Sequence, residues 1–94
     1  MASLELANEP TTLLLYGTEI AVVSRAPAPP GARLDAATIA EDGARSSFRI
    51  KVHRCKRQPD GSFVIVGVTL DLRREARAVL EELARTAPGL AKGI

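Results

Sequence analysis

Aromatic residues are nearly missing from this sequence: Tyr16, Phe48 and Phe63 make up 3% of 94 residues, and there is no tryptophan. Aromatics bring the most apolar area per side chain, so the core must be assembled from Leu, Ile, Val and Ala. Cysteine is scarcer still. Cys55 stands alone, so no intrachain disulfide can form, and a reducing, cytoplasmic setting fits. The chain opens without a basic stretch leading into an apolar one, so no secretory leader is expected. No apolar run approaches the ~20 residues that cross a bilayer, so no membrane insertion is expected. A glycine-rich phosphate loop and a G-x-S-x-G elbow are also missing. His53 is the only histidine. With Cys55 it gives two of the four ligands a structural zinc needs, and two residues on a flat strand form no pocket for a nucleophile and its base. The carboxylate pairs Glu41–Asp42 and Glu81–Glu82 are read as solvated in a turn and on a helix, not opposed across a cleft. The expectation is a protein that is not an enzyme and holds no metal or cofactor.

What is present is ordinary in bulk and uneven in place. Apolar residues are 46% of the chain and charged residues 26%, with a net charge of +2, the composition of one small globular domain. Residues 1–44 carry two arginines against six acids. Residues 45–57 carry Arg45, Arg49, Lys51, Arg54, Lys56 and Arg57 with no acid, and the rest is balanced. That basic block is the one charge feature that points beyond the fold.

Residues 1–10 show no clear period and read as a flexible arm or a short edge strand. Thr11–Tyr16 and Ile20–Ser24 are short apolar runs split at Gly17-Thr18, which predicts a hairpin. Pro27, Pro29 and Pro30 make the following segment an extended loop. Residues 32–39 fit a strand, with a helix over 35–42 as the alternative. In Ser46–Lys56, Phe48, Ile50 and Val52 alternate with Arg49, Lys51 and His53, the two-residue period of a half-buried strand. Gln58-Pro59-Asp60-Gly61 is a hairpin turn. Phe63–Leu70 is almost wholly apolar, which predicts a central strand buried on both faces, with Gly67 marking a bulge or bend. Asp71 is then a candidate helix N-cap. Leu72, Ala76, Val79, Leu80 and Leu83 recur at helical spacing opposite Arg73, Arg74, Arg77, Glu81 and Glu82, and Pro88-Gly89 ends the helix. A helix of about 15 residues is marginal alone in water, so its stripe must dock on the sheet. A stripe wider than the sheet can cover would favour a homo-oligomer through this helix. Residues 87–94 are left as a short tail.

From Pro29 onward the order of features resembles the PilZ domain family. The segments that carry it are PPGARL, EDG, FRIKVHRCKR, PDGSFVIVGVTLDL and REARAVLEEL, ending in Gly67-Val68 and Asp71-Leu72. The resemblance implies a mainly β fold, a small antiparallel six-stranded barrel over residues 11–86 with one C-terminal amphipathic helix. It also implies a role in bacterial signalling, often of motility. Many members bind cyclic di-GMP through R-x-x-x-R in an arm before the barrel and [D/N]-x-S-x-x-G on an early strand. Here no arginine precedes Arg25, and Val22 and Pro27 stand where the acidic or amide residue and the glycine would fall around Ser24. The chain therefore resembles a member lacking the nucleotide motif.

Three functions follow for testing. The first is a regulatory or adaptor domain that binds another, acidic protein through Arg49, Lys51, His53 and Arg54 on the strand with Arg73 and Arg77 on the helix. The second is a cyclic di-GMP receptor with a non-standard site at Arg25, Arg45 and Arg49, since guanidinium groups grip phosphate and guanine bidentately. The third, nucleic-acid binding by the basic strand, is disfavoured, because no aromatic is interleaved for stacking. Against all three stands a plain alternative: long cationic side chains that keep an outer strand face solvated.

Overall fold

The inward parity of Phe48, Ile50 and Val52 organises everything around it. A computed structural model describes residues 2–86. Its elements, in chain order, are β1 (Ser3–Leu6), β2 (Glu9–Thr11), β3 (Leu13–Tyr16), β4 (Ile20–Ser24), β5 (Arg33–Ile39), β6 (Arg45–Arg57), β7 (Phe63–Leu70) and α1 (Arg74–Thr86). The strands form one curled antiparallel sheet in the order β2-β1-β5-β6-β7-β4-β3. On its inner face the register sets Phe48 beside Ala36 and Ala36 beside Leu6, while Ile50 lies beside Leu34. Leu4, Leu13, Ile20, Val22 and Ile65 complete the same buried cluster. Aliphatic side chains do fill this core, and Phe48 is the one aromatic wholly within it.

The sheet's two end strands, β2 and β3, are consecutive in the chain and broken only at Thr12. One half of this ribbon pairs with β1 and the other with β4. Across the break, Val23 donates its N–H to the Thr12 carbonyl, and the Thr11 hydroxyl donates to the Val23 carbonyl. Seven strands are found where six were expected. Counted as one ribbon, residues 9–16 restore six, and the ribbon links the two ends of this half-barrel sheet at Thr12. Residues 3–6, read as an arm or edge strand, form β1, paired on both sides by β2 and β5. Residues 33–39 are strand, not helix.

The helix lies on the inner side against β1, β3, β5 and β6. Ala76, Val79 and Leu80 are buried, and Leu72 and Leu83 pack against the core. Ala76 and Leu80 thus enter the core cluster, while Leu72 and Leu83 stay half-buried at its margin. Asp71 does not cap it. The helix starts at Arg74, and Asp71 sits in a left-handed turn at φ 58° with its carboxylate turned to Arg49. Pro88-Gly89 and the tail over 87–94 lie outside the described residues. Among the described residues no helix is long and apolar enough to cross a membrane.

The bulge signalled by Gly67 lies in the opposite strand. The β6–β7 register shifts between Val52 and Arg54, leaving His53 as the extra residue. An unbroken two-residue period from Phe48 would aim Arg54 and Lys56 at the core. The bulge turns both outward and brings Cys55 in against the core instead. It also crowds the partner strand: a Cβ at position 67 would sit 2.0 Å from the Lys51 carbonyl oxygen. Gly67→Ala should therefore cost about 2–3 kcal/mol, read as a lower urea midpoint with unchanged slope. Ala7, in the β1–β2 turn, holds φ 51° without being glycine. Ala7→Gly should raise stability by about 1 kcal/mol in the same assay.

Candidate functional site

The outer face of β6 gathers most of the chain's excess positive charge. Arg45, Arg49 and Lys51 point outward before the bulge and Arg54 and Lys56 after it, with Arg57 exposed at the strand's end. Three carboxylates from other elements meet this row. Glu5 of β1 pairs with Arg45. Asp71, in the turn after β7, accepts from Arg49 Nη2 at 2.7 Å and from Nε at 3.2 Å. Glu19, just before β4, lies 3.1 Å from His53 Nδ1 and 3.5 Å from the Arg54 guanidinium. Since Arg54 stands opposite Val66 and Val66 opposite Ala21, this last pair reaches across the outside of β7.

All four ion pairs are solvent-accessible, so water and salt screen them and each contributes little to folding. Glu19 is nevertheless held below the ordinary glutamate range, chiefly by its hydrogen bond with His53 and then by Arg54. Among the described residues, Lys51, Lys56 and Arg57 form no salt bridge. They are the charges open to a partner.

The sequence-picked residues divide. Arg49, Lys51 and Arg54 share the outer face, and His53 joins them as the bulge residue. Arg73 and Arg77 are exposed on α1, which packs on the opposite, inner side of the sheet, so they extend a different surface. Arg45 and Arg49 line one shallow hollow of about 400 Å³ with Ser47 between them, whereas Arg25 lines another beside Pro10 and Val23. The three arginines of the nucleotide alternative do not line one cavity. His53 and Cys55 do not share a face either, because the bulge separates them and Cys55 packs inward. Among the described residues no three His, Cys, Asp or Glu side chains gather as a metal site requires.

Two features went unread in the sequence. Lys56 belongs to the basic block but not to the expected contact residues, yet it stands outward beside Val64. The apolar run predicts β7 buried on both faces, and on its outer face Val66 is buried while Val64, Val68 and Leu70 are only half-buried. The signal was available: Phe63–Leu70 is apolar at both parities, and one strand can present only one parity to a single core. No protein-family model, curated protein or solved structure matches the chain.

The His53–Glu19 contact has a pH signature. Because the folded carboxyl is the more acidic, its contribution is complete above the unfolded glutamate range and is lost as pH falls through the folded value. Glu19→Gln should lower the urea midpoint at about pH 6, and the gap from the parent should shrink by about pH 3. A gap that stays constant across that window would show that the pairing contributes nothing.

Proposed function

We propose that this chain is a non-catalytic, PilZ-like regulatory or adaptor domain that binds an acidic protein through the outer face of β6. One observation carries the proposal: a row of outward cations on one long strand, paired with β5 over 45–51 and with β7 over 49–57, in which Lys51, Lys56 and Arg57 have no internal counter-charge among the described residues. Cations held at fixed spacing raise the local potential, steer an acidic partner and set its register more than they set affinity. The PilZ likeness is supported by the curled antiparallel half-barrel whose ends are linked through residues 9–16 and by the single helix on its inner side.

Cyclic di-GMP is the second candidate, favoured by the hollow between Arg45 and Arg49. Against it, Glu5 and Asp71 already occupy these guanidinium groups, and Arg25 lies at a separate hollow. Calorimetric titration with cyclic di-GMP is expected to give no heat at millimolar ligand, and saturable heat at micromolar ligand would replace the adaptor function with a receptor. The adaptor itself is tested by affinity capture from its native cell extract. The Lys51→Glu/Lys56→Glu double variant, which breaks no internal ion pair, should lose a partner that the parent chain retains, and that retention should fall with added salt. Equal retention by both chains would remove the β6 face from consideration.

A further inference from the structure

The outer side of β7 is an apolar column on which α1 does not pack, crossed at its middle by the Arg54–Glu19 pair, where Val66 and Ala21 are buried. Its inner parity, Ile65 and Gly67, faces the core, and its outer parity is Val64, Val66, Val68 and Leu70. Register places one β6 cation directly beside each of these: Lys56 by Val64, Arg54 by Val66, Lys51 by Val68 and Arg49 by Leu70. On the other flank, β4 sets Val23 beside Val64 and Ala21 beside Val66, so the apolar column is two strands wide at that end, and Glu19 borders it at the level of Val68. Val66 and Ala21 are buried but stand outside the inner cluster. The helix packs against β1, β3, β5 and β6, not here. The result is two parallel columns, apolar and cationic, about 20 Å long and about 5 Å apart.

We infer that this strip docks an acidic amphipathic helix of another protein, with the helix's apolar stripe on β7 and β4 and its carboxylates on the β6 side. The inference rests on the acidic-partner function proposed above and specifies the partner's shape. A helix of about 13 residues spans the strip's length, and carboxylates three or four residues apart along one flank of that helix lie over the cation row. Burial of the valine column supplies affinity, and the lysines supply orientation. A second copy of this chain is a poorer occupant. The two carboxylates bordering the strip, Glu19 and Asp71, are already held by its own cations, so a copy offers no acidic row. A lipid surface is also poorer, since the column is half-buried valine and carries no aromatic to enter the headgroup layer.

The test uses the full chain, isotope-labelled, and two synthetic peptides of about 16 residues and identical Leu/Glu composition. One has Leu at helical spacing with Glu along one flank, and the other is scrambled. The patterned peptide should shift the resonances of Val64, Val68, Lys51 and Lys56 and bind at least about tenfold more tightly than the scrambled one. Val68→Gln, at a half-buried outer position, should remove that preference, while Lys51→Glu/Lys56→Glu should weaken both peptides. Equal binding of the two peptides would keep the acidic-partner function and overturn this inference. No binding of either at millimolar peptide would overturn both. Tighter binding to phosphatidylglycerol vesicles than to the patterned peptide would overturn the occupant in favour of a lipid surface. Concentration-dependent dimerisation that Val68→Gln abolishes would overturn it in favour of a second copy.

Discussion

The ladder between β6 and β7 constrains more of this molecule than any other pairing. It fixes the parity of the longest strand and so decides which side chains meet the core and which meet water. In the first half of β6 the parity is straightforward, with Phe48, Ile50 and Val52 in and Arg49 and Lys51 out. In the second half the sequence demands a switch, because an unbroken pleat would bury Arg54 and Lys56. Burying an unpaired cation costs far more than a local break in the ladder, and the extra residue at His53 is that break. Gly67 completes it, since only a residue without a Cβ can lie against the Lys51 carbonyl. Bulge, glycine and cation row are therefore one feature seen from three sides.

This explains what could be read in the sequence and what could not. The alternation around Phe48, the Pro59–Gly61 turn and the helix stripe are local signals, and each became the element it announced. The parity switch was also legible, because the apolar residue after Val52 is Cys55, three positions on. The link between the ends of the sheet was not. It depends on Thr12 letting one short ribbon serve two neighbours, β1 and β4, which are distant from each other in the sheet order. Nothing in residues 9–16 themselves states that. Asp71 shows the opposite failure. Its local chemistry suits a cap, but the Arg49 guanidinium, 22 residues back, lies beside the turn and takes the carboxylate.

The charge pattern of the outer face follows from the same geometry. An outward row of like charges repels itself, and β6 carries five such residues on one side. Glu5, Asp71 and Glu19 come from three separate elements and neutralise the row at Arg45, at Arg49 and at the His53–Arg54 corner. They leave Lys51 between two compensated positions and Lys56 beyond the last. Solubility alone would be served by any of these cations in any order. A row compensated at fixed posts and open between them is a spaced set of charges, and that spacing is what the proposed acidic partner would read.

The apolar column gives that spacing a purpose in physical terms. A curled sheet has an inner face that one helix can cover, and its outer face normally turns polar. Here β7 keeps valine and leucine outward at four successive positions, each with a cation across the ladder. Cations beside a half-buried valine column keep its open positions hydrated and discourage indiscriminate association. In the docking proposed above, the same cations would select the partner, because an apolar surface bearing positive charge of its own is repelled and one bearing carboxylates is drawn in. One arrangement of residues, set by the β6–β7 register, thus keeps the column hydrated and, in the proposed docking, would orient the helix that covers it.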